Sequence, residues 1–299
     1  TNIKHVFVFA TFFPSQIAGP IKRYGDFVPQ LLKHRIPTST QTWQGLGLLG
    51  RGYLKKVVFA DNLAILANSV FASGDDLSNL TPFHVLVGIY AFAWQIYFDF
   101  SGYTDIGRGL ARLLGFRLPE NFRSPYTTAS IREFWRRWHM TLSTWLRDYL
   151  YVPLGGSRVP PWRIAFNLMA TMTLGGLWHG AGLQFIAWGA YHGTLLSIGR
   201  FLGRWIRLPV GPGSTAIRPL AVIFNFHLIC LGWVLFRSES LGFAVEIIRQ
   251  LASGPPWGTT RLAGDATLHI PLFLLFVGAL GSVLANRFGD PFAMAARLP

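Results

Sequence analysis

The chain has 299 residues, 51% of them hydrophobic and 15% aromatic, with only 13% charged and a mean hydropathy of +0.35. Soluble domains carry about 25% charged residues, so this composition excludes an ordinary soluble domain and reads as a membrane protein. In a soluble protein the net charge of +14 would suggest nucleic acid; here basic loops facing anionic membrane lipid account for it, and no nucleic-acid partner is expected.

The first apolar run, 6–13, falls short of the about 20 residues needed to cross a bilayer. It reads as the tail of a helix, and the chain as N-terminally truncated. Segments long enough to span follow at 43–72 (interrupted by Lys55-Lys56), 83–104, 163–182, 184–202, 217–236 and 269–286. Basic residues crowd into 22–35, 104–163 and 200–218. Residues 61–80 have none, and 238–268 has only Arg249 and Arg261. The positive-inside rule then places 22–35, 104–163, 200–218 and the C-terminus inside, with 61–80 and 238–268 outside. Gly-Pro-Gly at 211–213 and Ser-Gly-Pro-Pro at 253–256 read as loops. There is no internal repeat, so residues 1–299 form one domain. The lone Cys230 excludes an internal disulfide.

Within 104–163, Ile131, Phe134, Trp135, Trp138, Leu142, Trp145 and Tyr149 recur at helical spacing, with Arg132, Glu133, Arg136, Arg137, Arg147 and Asp148 elsewhere around the wheel. The pattern predicts an amphipathic helix at the membrane surface or dipping into it, capped by Thr128 or Ser130 and ended near Pro153. His139 borders its aromatic face. Interfacial anchoring is the plain alternative for the Trp and Arg residues.

His179 lies in the apolar run Leu174-Gly175-Gly176-Leu177-Trp178-His179-Gly180-Ala181-Gly182. Polar groups inside membrane segments are functional candidates by default. Helical spacing puts Gly175, Gly176 and Gly182 on the imidazole's face, which leaves room for a substrate there. The alternative is close helix packing, which glycine faces also serve. Among other polar groups, Asp99 and Asp105 are expected to pair with Arg108 or Arg112. Gln95 lines a path or bonds a neighbouring helix, and Glu120 and Asn121 read equally as turn residues. His192 is a second-layer or packing residue. No His/Cys/carboxylate spacing suggests a metal site.

Several stretches together resemble a known family. They are Phe12-Phe13-Pro14-Ser15-Gln16-Ile17-Ala18-Gly19-Pro20-Ile21, Tyr97-Phe98-Asp99-Phe100-Ser101-Gly102-Tyr103-Thr104-Asp105, Pro119-Glu120-Asn121-Phe122, Glu133-Phe134-Trp135-Arg136-Arg137-Trp138-His139, the run 142–156, and Gly176-Leu177-Trp178-His179-Gly180-Ala181. The chain is similar to the membrane-bound O-acyltransferases, in the bacterial alginate O-acetyltransferase-like branch, over a motif core of about 12–193. The helices over 217–299 follow that core. The D-alanyl transferase branch is a more distant likeness.

The resemblance implies an all-α polytopic membrane bundle with a tunnel, an essential histidine at His179 and a second polar position at His139. It also implies further membrane helices before Thr1, a separate extracytoplasmic partner of the serine-esterase-like (SGNH) type, a polysaccharide acceptor and the bacterial inner membrane. No cofactor is expected to be held; acetyl-CoA or a similar acyl thioester serves as donor substrate.

Acyl transfer to a hydroxyl needs a base and an oxyanion donor. His179 suits the base and His139 the group that orients or polarises the thioester. Arg136 and Arg137, with Arg132 and Arg147, can attract its phosphates. Trp138, Trp178, Gln95 and Asn121 complete the expected donor-binding set. A transporter or channel, or a scaffold without chemistry, are the rival classes.

Overall fold

The computed structural model describes residues 2–17, 19–33, 36–72, 77, 80–205, 217–253 and 268–288, and these contain helices and no strand. A short α1 (Ile3–Thr11) is capped by Asn2, whose Oδ1 accepts from the Lys4 amide, and α2 (Tyr24–Leu32) packs beside it. A Thr38/Gln41 capping box starts α3 (Ser39–Tyr53). The helix winds on through a π-helical stretch, Leu54–Ala60, into α4 (Asp61–Phe71), so the expected 43–72 segment is helical throughout. The expected segment at 83–104 is the larger part of α5 (Pro82–Leu113), which runs on past its inner end.

Glycine decides how α3 meets α5. A Cβ on Gly52 would lie 2.7 Å from the Gly102 carbonyl oxygen, and one on Gly109 would lie 2.8 Å from that of Gly45. The two antiparallel helices therefore touch backbone to backbone at two places, spaced about two turns apart on α3. Beside this contact the π-helical stretch widens the turn and lets two consecutive lysines reach α5. Lys55 Nζ meets Asp105 Oδ2 at 2.7 Å and Lys56 Nζ meets Asp99 Oδ1 at 2.7 Å. Arg51 adds a 2.8 Å contact to Asp105. Of the expected partners, Arg108 reaches Asp105 at 3.4 Å, whereas Arg112 bonds Gln44 instead. The main cations for both carboxylates come from the facing helix; for the buried Asp105 this pairing replaces the water that seclusion removes.

The remaining expected spans are also helical: α8 (Pro161–His179), α9 (Leu183–Trp205), α10 (Ile217–Arg237) and α12 (His269–Phe288). By length and apolarity, α5 and α10 are the two described helices able to cross a membrane. The loops expected at 211–213 and 254–256 lie outside the described residues. One element was not expected: α11 (Leu241–Ala252), capped by Ser240 and buried through Phe243, Ala244 and Ile247, stands where only a loop was read.

The core is aromatic. Trp94, Tyr126, Phe134, Trp138 and Trp233 pack edge-on and face-on, and Tyr126 fixes the cluster by donating to the Ala93 carbonyl while accepting from Trp233 Nε1. Many large apolar side chains point outward instead, among them Phe166, Phe201, Phe224, Phe273 and Phe276. Water would not tolerate so extensive an apolar surface, and lipid would.

Candidate functional site

The segment predicted as one surface helix is not continuous. It forms α6 (Ile131–Trp135), then a turn, then α7 (Met140–Leu146), which passes into a π-helical turn, Arg147–Tyr151. Ser130 caps α6 through the Glu133 amide, as expected. His139 breaks the run, because its backbone is left-handed (φ 41°). Ile131, Phe134, Trp138 and His139 are all buried, so the turn runs into the bundle rather than along its surface. The seclusion of Phe134 and Trp138 explains the course: two large rings drive the segment inward and the arginines stay behind.

Asn121 holds this turn. Its carbonyl accepts from the Met140 amide at 3.0 Å, and its Oδ1 accepts from the Thr141 amide at 3.1 Å and the Thr141 hydroxyl at 2.7 Å. His139 offers α7 no side-chain cap, so Asn121 supplies one from twenty residues upstream. The Thr141 hydroxyl in turn accepts from the Ile21 amide at 3.0 Å, which ties in the Gly19-Pro20-Ile21 segment.

His179 is the last residue of α8, at the helix end and not deep within a span as its apolar neighbours suggested. Gly180-Ala181-Gly182 breaks the helix there. The ring is half-buried and stands nearly perpendicular to three aromatic rings, those of Trp178 (4.9 Å between centroids), Trp188 (5.4 Å) and Phe236 (5.1 Å). Among the described residues neither imidazole nitrogen has a hydrogen-bond partner. Leu146, at the end of α7, lies against Gly175 of α8, so the helix that follows His139 packs on the helix that ends at His179.

The glycines do not form the expected recess. A Cβ on Gly176 would lie 2.2 Å from the Phe185 carbonyl oxygen, one on Gly175 would meet Leu146, and one on Gly182 would meet the side chain of Gln184. On α9, Gly189 approaches the Met172 carbonyl in the same way. The glycines of α8 and α9 serve close helix contact, and the space beside His179 is shaped by aromatic rings instead.

The other expected residues divide. Buried polar atoms without a partner occur at Gln95 Oε1, Asn121 Nδ2 and His139 Nδ1. Most buried polar atoms in folded proteins are paired, so these three are candidates for contact with a bound molecule. Trp178 is 61% exposed next to His179. Trp138 is buried in the aromatic core against Phe134 and Trp233, where it packs. Arg137 is bound to Glu133 at 2.7 Å, while Arg136 is exposed. His192 is wholly buried, and its ring stands beside Trp188, which also touches His179. It is thus one ring removed from the site. Among the described residues no three His, Cys, Asp or Glu side chains converge as a metal site would require.

Sequence reasoning missed Thr141, Trp188 and Phe236. Trp188 carried a faint signal, since it lies on the same apolar stretch as His192. Thr141 and Phe236 carried none, because their roles depend on distant partners.

A family model described as the membrane-bound O-acyltransferase family matches residues 1–241. The chain is 46% identical over 276 residues to the probable alginate O-acetylase AlgI of Azotobacter vinelandii, covering 92% of this chain and 53% of that protein. It is 38% identical to the peptidoglycan O-acetyltransferase of Helicobacter pylori (82% and 46% covered) and 31% identical to the teichoic acid D-alanyltransferase of Bacillus subtilis (77% and 60% covered). The chain therefore spans about half the length of the curated relatives it matches. The identities agree with a nearer likeness to the alginate branch than to the D-alanyl branch. The family model over residues 1–241 and these relatives show that the chain belongs to the membrane-bound O-acyltransferase family.

Proposed function

We propose that this chain carries the reacting centre of a multi-pass inner-membrane O-acyltransferase, which moves an acetyl group from a cytoplasmic thioester such as acetyl-CoA toward a polysaccharide hydroxyl. One observation carries the reading: the His179 imidazole stands at a half-open helix end between three aromatic rings, with no hydrogen-bond partner among the described residues.

In this reading His179 takes the proton from the acceptor hydroxyl as its oxygen attacks the thioester carbonyl carbon. The tetrahedral oxyanion is met by an N–H from His139 or by Asn121 Nδ2, both unpaired in the bundle. On collapse the thiolate leaves and takes the proton back from His179, so that ester and thiol are the products. Gln95 lines the tunnel the donor enters, Trp178 packs against its chain, and Arg136 attracts its phosphates at the basic face. The outward apolar side chains of α8, α9, α10 and α12 support a lipid surround for these helices. The relatives named for alginate, peptidoglycan and teichoic acid support a polysaccharide acceptor. An extracytoplasmic SGNH-type protein would receive or deliver the acetyl group.

The test is transfer from labelled acetyl-CoA in proteoliposomes by wild type and His179→Ala. Loss of turnover at unchanged insertion is expected. Undiminished turnover removes His179 from the mechanism, and substrate flux without transfer points to a transporter.

A further inference from the structure

A cavity of about 390 Å³ opens between α2, the 117–119 loop and α7, separate from the aromatic surround of His179. Lys22, Arg23, Asp26, Phe27, Arg117 and Thr144 are among the residues that line it. Its volume is that of a small-molecule site rather than a packing defect.

The charges in its wall do not balance. Arg23 is satisfied by Asp148, beside Arg147. Lys22 is not: its Nζ donates to the Ser15 hydroxyl at 2.7 Å and sits 4.6 Å from the Phe9 ring centroid, and no carboxylate among the described residues pairs with it. Burial lowers its pKa, as expected of an ammonium without an anion. Arg117 is exposed at the other side, with its backbone clamped by Gln30 through both N–H and C=O and its guanidinium without an ion partner among the described residues. Asp26, at the first turn of α2, is the lining residue that opposes them.

We propose that this cavity binds a phosphate group, held by Lys22 and Arg117, with the remainder of the ligand lying on the apolar wall at Phe27 and Leu118. Two sources fit that chemistry: a soluble organic phosphate, or the headgroup of an anionic phospholipid. The site lies on the side that the basic residues mark as cytoplasmic. It shares Thr141 with the hydrogen-bonded turn at His139, so its occupant and the reacting turn abut the same first turn of α7. The inference does not depend on the acyl-transfer reading, because binding is measured directly.

The chain in detergent micelles is titrated calorimetrically with inorganic phosphate and adenosine 3′,5′-bisphosphate. In parallel, phosphatidylglycerol retained from mixed phosphatidylcholine/phosphatidylglycerol nanodiscs is read by native mass spectrometry. Lys22→Gln and Arg117→Gln are expected to weaken one ligand about tenfold or more, the loss of one charge-assisted hydrogen bond. Lys22→Arg should bind as wild type does, and Arg163→Gln, away from the cavity, should have no effect. Weakening in the soluble arm assigns an organic phosphate, and weakening in the nanodisc arm assigns a lipid headgroup. Arg117→Gln decides the matter if Lys22→Gln fails to fold, since Arg117 is exposed. A wild type that binds neither probe, or variants that bind both as wild type does, overturns the proposal.

Discussion

Replacing Asn121 by alanine removes the side-chain acceptor at the start of α7, the only one there among the described residues. The Thr141 amide and hydroxyl, held at 3.1 and 2.7 Å by Asn121 Oδ1, are left without it in a place where Asn121 itself is 1% exposed. A buried polar group deprived of its partner costs about 1–3 kcal/mol, and the hydroxyl can rotate to recover part of its share. A loss of about 2–4 kcal/mol in unfolding free energy is therefore expected, measured by reversible denaturation in mixed micelles. A double-mutant cycle with Thr141→Val isolates the contact and should return a coupling of about 1 kcal/mol. Because Met140 and Thr141 follow His139 directly, acyl transfer should fall along with stability. An Asn121→Ala variant within about 0.5 kcal/mol of wild type, the width of an ordinary surface change, would refute the remote cap.

Three further outcomes are expected. Gly176→Ala puts a methyl group 2.2 Å from the Phe185 carbonyl oxygen, which forces α8 from α9 at a cost of about 1–3 kcal/mol; unchanged thermal unfolding would mean the helices have slack. His139→Asn should fold as wild type does, since asparagine tolerates the left-handed backbone at φ 41°, whereas His139→Val should lose about 1–2 kcal/mol; equal unfolding midpoints for the two would contradict the backbone argument. The Asp148 carboxyl is drawn down to about 2, first by the hydrogen bond from Arg147 and then by that from Arg23. A depressed carboxyl contributes stability that is present above its unfolded value near 3.8 and lost as pH falls through about 2. The contribution is small because the pair is partly solvated. Limited proteolysis of the 16–33 segment should therefore differ between wild type and Asp148→Asn at pH 5 and converge near pH 2, and a pH-independent difference would exclude the ion pair as cause.

The place of each long helix was legible in the sequence, because helix formation and apolarity are local and repeat every three or four residues. All six expected spans are helical over most of their length. Less was legible where one signal served two purposes. Gly175 and Gly176 read equally as a recess or as a packing face, and only the position of α9 decided for packing. The amphipathic pattern over 131–149 gave no warning of the break at His139, since helical periodicity survives a single left-handed residue. Ser240 and the Phe243, Ala244, Ile247 spacing of α11 were readable and were passed over.

By itself the sequence determined where the long helices lie, which segments are apolar and which family the motifs resemble. Tertiary structure alone decided that α3 meets α5 at paired glycines, that Lys55 and Lys56 answer Asp105 and Asp99, and that Asn121 caps a helix twenty residues away. The physical reason is range. Backbone and side-chain preferences act within a turn or two, whereas a partner across the bundle is chosen by the sum of all contacts at once.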